Sequence, residues 1–257
     1  MMKVHRLTAF EDNYIWLIGC DGKSEVAIVD PGDADPVIEY VEREGLRPTA
    51  ILITHHHGDH TGGVNELVER YQIPVYGPAN ERIPALTQPL HEADKVEFVA
   101  CGLSLKVLDT PGHTRGHICY YGHGALFSGD TLFTAGCGRL FEGTAEQMYE
   151  SLEKLRALPD ETLIYCAHEY TEANLSFAMV AEPQNTETAA RAVEVEHLRQ
   201  EGKATVPAPL SMEKATNPFL RSHVPSLIAA AEGFSGKTPG SPAEVLAVVR
   251  HWKDTLD

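Results

Sequence analysis

Thr54-His55-His56-His57-Gly58-Asp59-His60-Thr61-Gly62-Gly63 places four strong metal ligands, His55, His57, Asp59 and His60, within six positions. The apolar run before it, Ala50-Ile51-Leu52-Ile53, suits a short strand buried on both faces, and Gly63 to Arg70 opens a helical pattern. The ligands therefore fall on a strand-to-helix loop. In α/β units the C-terminal edge of the sheet is where sites are built, because rigid elements hold the loop from both sides.

A single tetrahedral zinc normally draws on ligands spread along the chain, so this density points to two ions. His55 and His57, two apart on extended backbone, can face the same way. Asp59 and His60 follow the Gly58 turn and can face a second ion close by. His56 alternates away from its neighbours and is read as part of the surroundings. The run is internal, which excludes a terminal affinity tag.

Upstream, Val4 to Phe10, Tyr14 to Ile18 and Val26 to Val29 are short apolar bursts separated by Asp12-Asn13 and Asp21-Gly22, the pattern of an antiparallel meander. Asp35-Pro36 leads into a helix over about Val37 to Glu44 that stops at Gly45. Downstream, strand patterns recur at Pro74 to Tyr76, Lys95 to Phe98, Leu103 to Leu108, Ile118 to Tyr121, Ala125 to Phe127 and Thr162 to Cys166, with a helix over about Ala145 to Leu158. A histidine or aspartate stands after several of these strands: His113, Asp130 and His168 follow theirs as His55 follows its own. Strands lying side by side would bring these distant residues to one edge of a sheet.

Beyond His168 the pattern is helical, over Glu172 to Ala181, Thr186 to Glu201, Val224 to Glu232 and Ala243 to Leu256, with no convincing strand. A domain boundary is placed there, giving residues 1–172 and 173–257. Ser241-Pro242-Ala243-Glu244 combines a capping box with proline at the first helical position. In the helix it starts, Val245, Val248, Trp252 and Leu256 are expected to be buried. Arg250 and Lys253 share another face, either as a solvated basic patch or as a site for an anionic ligand.

The chain of 257 residues carries a formal charge of −16, which argues against a nucleic-acid surface. Against that background a paired arginine and lysine would single out a small anion. Cys20, Cys101, Cys119, Cys137 and Cys166 are scattered without a Cys-x-x-Cys pair, and reduced thiols are expected. Charged residues within the first twelve positions leave no room for a secretory signal, and no apolar run approaches membrane-spanning length. A cytoplasmic monomer without nucleic-acid or membrane partners is expected.

Assembled, His55, His57 and His113 would hold one ion, and Asp59, His60 and His168 the other. Asp130 would lie between them, since each carboxylate oxygen can bind one cation. Nitrogen and oxygen donors without thiolate suit zinc, iron or manganese. Water held by two such ions loses a proton near neutral pH while the metals polarise a carbonyl, which points to hydrolysis.

The Thr-His-His-His-Gly-Asp-His segment resembles the signature of the metallo-β-lactamase superfamily, and His113, Asp130 and His168 match its later ligand motifs in order. That resemblance implies a metallo-β-lactamase-like αββα sandwich, here followed by an all-helical domain. Phe10 to Tyr14, Thr131 to Arg139, His168 to Thr171 and Asn217 to Arg221 are similar to the hydroxyacylglutathione hydrolases, or glyoxalase II, over essentially the whole chain. The likeness implies two divalent ions, zinc before iron or manganese, and catalytic roles for Asp59 and Asp130. It implies hydrolysis of S-D-lactoylglutathione and related 2-hydroxyacyl thioesters to glutathione and the hydroxy acid by a metal-bound hydroxide, the second step of methylglyoxal detoxification. It also implies that Arg139, Tyr170, Arg250 and Lys253 bind the glutathione portion. Phe141 stands where some members carry tyrosine, so one hydrogen bond to the tripeptide is expected to be missing. The alternative is a persulfide dioxygenase with a single iron.

Overall fold

The computed structural model describes residues 1–256. The chain divides into two compact units, Met1–Asp109 with Arg115–Gly129, and Thr110–Thr114 with the chain from Asp130 onward.

The first unit begins with the expected meander, β1 (Met2–Ala9), β2 (Asn13–Cys20) and β3 (Glu25–Val29), paired antiparallel. Helix α1 (Asp35–Glu44) ends at Gly45, whose φ of 64° is the left-handed conformation that glycine adopts without a Cβ clash. It returns the chain to β4 (Arg47–Leu52), which pairs parallel to β3. The one-turn helix α2 (Gly58–Thr61) and α3 (Val64–Tyr71) follow, and β5 (Val75–Pro78) and β6 (Gln88–Leu90) extend the sheet in parallel. Val37 and Val41 of α1 and Val64 and Leu67 of α3 pack with Leu7, Leu17, Ile28 and Ile51 of the sheet in one core. Each such fully buried aliphatic side chain stabilises the fold by about 1.5–3 kcal/mol.

A second, antiparallel sheet of β7 (Lys95–Phe98), β8 (Leu103–Asp109), β9 (Ile118–Gly122) and β10 (Ala125–Gly129) completes this unit. It is tied to the first sheet beside the histidine run: Tyr120 Oη donates to the Ile53 carbonyl at 2.8 Å, and the Ile118 amide to that of Thr54 at 2.9 Å. Elsewhere Cys20, at the end of β2, forms a disulfide with Cys101, just before β8. This corrects the expectation that every thiol is reduced: Cys119, Cys137 and Cys166 are buried thiols outside any disulfide, whereas Cys20 and Cys101, 81 residues apart in sequence, meet. Spacing along the chain carries no information about such a meeting.

The second unit contains the small hairpin β11 (Leu132–Phe133) and β12 (Gly136–Cys137) and helix α4 (Ala145–Arg156), started by a Thr144/Gln147 capping box. Strand β13 (Leu163–Cys166) precedes α5 (Thr171–Ala181) and α6 (Thr186–Gln200). The elements here that were not expected include, besides the β11/β12 hairpin, β14 (Ala208–Pro209), which pairs with β13, and α7 (Leu210–Thr216). All are too short to show periodicity, and the prolines around β14 and α7 read as loop. Helices α8 (Pro225–Ser235) and α9 (Pro242–Asp254) close the chain.

The buried face of α9 differs from expectation. Val245, Leu246, Val249, Arg250 and Lys253 are the inward residues, while Leu256, past the helix end, is 59% exposed. Arg250 and Lys253 are only 3% and 7% exposed, which rules out the solvated basic patch. Hydrophobic patterning assigned the stripe by residue type, and two cations displaced it.

Candidate metal centre

In the first unit the ligand run leaves the end of β4 and is set by Asp30, at the end of β3. The Asp30 carboxylate accepts from the Thr54 amide at 2.8 Å, the Thr54 hydroxyl at 2.7 Å and His60 Nδ1 at 3.0 Å. Because the Thr54 hydroxyl proton goes to Asp30, its oxygen accepts from His55 Nδ1 at 3.1 Å. Both imidazoles thus carry their proton on Nδ1 and keep the Nε2 lone pair, the usual device for orienting a metal-binding histidine. His55 Nε2 lies 3.0 Å from His57 Nδ1, and His60 Nε2 lies 3.4 Å from Asp59 Oδ2. Asn13 Nδ2 donates to that same Asp59 oxygen at 3.1 Å. Gly32 makes the approach feasible, since a Cβ there would fall 1.8 Å from the Asp59 carbonyl oxygen.

In the second unit the Asp130 carboxylate faces two histidines with different oxygens: Oδ2 is 3.4 Å from His113 Nε2, and Oδ1 is 3.4 Å from His168 Nε2. His113 donates its ring proton, on Nδ1, to the Arg139 carbonyl at 2.8 Å, leaving the lone pair on Nε2. Donors about 2.0–2.1 Å from a shared cation lie about 2.9–3.4 Å apart, from right-angled to tetrahedral geometry. Each unit therefore carries two donor pairs with spacings suited to one ion apiece.

A cavity of about 470 Å³ opens beside the second group, lined by His113, Asp130, Cys137, Arg139, Arg250 and Lys253 together with Phe141 and Tyr170. Arg250 Nη1 donates to the Cys137 carbonyl at 2.9 Å and Nη2 reaches Asp254 at 3.0 Å. The Tyr170 ring stacks on His168 at 4.7 Å with planes 3° apart, and Phe141, 63% exposed, meets the His113 ring edge-on at 5.2 Å. Burial pushes the Cys137 thiol up to about 11 although Arg250 pulls the other way, so at neutral pH it is a protonated wall rather than a nucleophile.

All the residues singled out from the sequence thus fall into these two groups. His55, His57, Asp59 and His60 gather in the first unit. His113, Asp130 and His168 gather in the second, where Arg139, Phe141, Tyr170, Arg250 and Lys253 line the cavity. His56 turns away and donates to Glu81 at 3.0 Å. Asp30, Asn13, Glu81, Asn174 and Glu213 were not foreseen as parts of this machinery. Asp30 left a signal, as a charged residue at a strand end.

The model of the metallo-beta-lactamase superfamily matches residues 9–168, and that of the hydroxyacylglutathione hydrolase C-terminus matches residues 169–256. A hydroxyacylglutathione hydrolase from Alkalilimnicola ehrlichii is 55% identical over 99% of this chain and 99% of its own. Among solved structures, ETHE1 from Myxococcus xanthus superposes with a TM-score of 0.69 at 27% identity, covering 97% of this chain and 91% of that one. TTHA1623 in a di-iron-bound form gives 0.59 at 26% identity, covering 85% of this chain and 100% of that one. These likenesses bear out the expected metallo-β-lactamase-like αββα fold with a helical C-terminal region. With more than half its residues shared along nearly the full length of such a relative, the chain belongs to the hydroxyacylglutathione hydrolase family of the metallo-β-lactamase superfamily.

Proposed function

We propose that this protein hydrolyses S-(2-hydroxyacyl)glutathione thioesters, S-D-lactoylglutathione foremost, to glutathione and the 2-hydroxy acid, at a centre holding two divalent ions. The observation that carries the reading is Asp130, whose two oxygens each stand 3.4 Å from a different histidine nitrogen, the arrangement of a bridging carboxylate. His55, His57 and His113 would hold one ion and Asp59, His60 and His168 the other, zinc before iron or manganese. When bound, the ions would supply activated water and polarise the thioester carbonyl.

The protein's own groups do the rest. Asn13 orients Asp59, Asp30 orients His60 and, through Thr54, His55, and the Arg139 carbonyl orients His113. Arg250, Lys253 and Arg139 offer cations to the carboxylates of the glutathione portion, against a net charge of −16 that would otherwise repel them. A departing thiol of pKa about 8.5 leaves as thiolate without a strong general acid. Residues 1–172 would form the catalytic domain and 173–257 the substrate-binding domain of a cytoplasmic monomer. Among the described residues no helix is long and apolar enough to cross a membrane.

The test is turnover of lactoylglutathione beside other thioesters, with metal content measured on the same sample. Rapid release of glutathione with close to two ions per chain is expected. Silence in fully metallated protein would remove the hydrolase reading, and one iron with persulfide consumption would replace it by the dioxygenase.

A further inference from the structure

The segment Asp130–Arg139 bears three duties at once. Asp130 opens it, the Arg139 carbonyl at its end orients His113, and Phe133, Cys137 and Gly138 line the cavity between. Its shape is tightly constrained. Ala135 has a φ of 56°, which costs a residue with a Cβ about 1 kcal/mol or more, and a Cβ on Gly138 would meet the Asp130 carbonyl oxygen at 2.0 Å.

Helix α7 and the residue that follows it grip this segment through its backbone. Glu213, wholly buried, accepts from the Ala135 amide at 2.7 Å through Oε2. Its other oxygen takes Arg191 Nη2 at 2.5 Å, the countercharge without which a buried carboxylate is strongly unfavourable. The Asn217 side-chain amide shares its protons among the Gly136 carbonyl at 2.9 Å, that of Phe133 at 3.2 Å and Glu213 Oε2 at 3.1 Å. Asn174 adds a bond to the Thr134 carbonyl at 3.0 Å. Neither Glu213 nor Asn217 lines the cavity.

We propose that Glu213 and Asn217 are positioning residues that clamp the Phe133–Gly136 turn and thereby set Asp130, His113 and the cavity floor, an inference that rests on the metal-centre reading above. An apolar pair would fill the space but could not hold these backbone amides and carbonyls in one register.

Asn217→Ala and Glu213→Gln are compared with Leu210→Ala, which cuts a fully buried side chain of the same helix that, being apolar, forms no hydrogen bond to the turn. Each protein is loaded with zinc and then dialysed against a chelator, and retained metal, Ala135 amide exchange and lactoylglutathione kinetics are measured below the melting temperature. The clamp variants should keep the native circular dichroism, bind metal about 10-fold or more weakly, exchange the Ala135 amide faster and raise KM. Leu210→Ala should lower Tm and leave metal retention and KM near wild type. Should Glu213→Gln fail to fold, Asn217→Ala, which removes no charge, decides the matter. Wild-type metal retention and Ala135 exchange in folded Asn217→Ala would overturn the proposal, as would losses in Leu210→Ala equal to those of the clamp variants. Metal retention and exchange require no turnover, so a wild type inert toward lactoylglutathione would refute the hydrolase reading and leave the clamp to be judged on those two measurements.

Discussion

Lys253→Met tests whether the buried cations of α9 serve substrate binding. The change keeps the length and apolar stem of the side chain and removes only the ammonium, which lies in a residue 7% exposed on the wall of the cavity. A unit charge about 4 Å from a substrate carboxylate gains about 4 kcal/mol at an effective dielectric of about 20. Desolvation of both partners reduces this to the about 1.5–3 kcal/mol typical of a hydrogen bond to a charged group. KM should therefore rise by roughly 10- to 150-fold, since about 1.36 kcal/mol is a factor of ten. The turnover number should stay within about threefold, because a group that binds a remote carboxylate contributes alike to ground state and transition state. Raising ionic strength should increase KM for the wild type more than for the variant. The assay is steady-state hydrolysis of lactoylglutathione at two salt concentrations. A KM within twofold of wild type, or a fall in turnover number with KM unchanged, would refute this role for Lys253.

Phe141→Tyr should lower KM by roughly 2- to 13-fold, the effect of one added hydrogen bond of about 0.5–1.5 kcal/mol, because Phe141 sits at the cavity 5.2 Å from the His113 ring. An unchanged KM would show that its hydroxyl meets only water. Burial raises the Cys166 thiol to about 12 and the Cys137 thiol to about 11, from an ordinary value of 9.0. The unfolded chain thus loses these protons first, and the stability they contribute is complete below pH 9 and lost as pH rises toward 11 and 12. Urea midpoints followed above pH 9 should fall less steeply for Cys166→Ala than for wild type, and parallel slopes would count against a buried thiol.

Much of the scaffold was legible because each element announces itself locally. The meander of β1 to β3 shows short apolar bursts separated by an Asp-Asn and an Asp-Gly turn, α9 shows its Ser241 cap, and helices α5, α6 and α8 fall close to their expected bounds. The ligand run was legible because a loop dense in histidine and aspartate after a buried strand has few other uses. Among the missed elements, α7 and β14 span seven and two residues and form where neighbouring structure stabilises them. Arg250 and Lys253 lie inside because they wall a cavity and Arg250 donates to the Cys137 carbonyl, a circumstance no helical periodicity records.

By itself the sequence determined which side chains could bind metal and which strands deliver them, because residue type and local pattern suffice for both. Only tertiary structure decided that Asp130 turns its two oxygens to different histidines, that Asp30 sets the tautomers of His55 and His60, and that Glu213, 78 positions from Ala135, holds that residue's amide. Such facts depend on distances of about 3 Å between groups far apart along the chain, and they exist only once the backbone has closed around them.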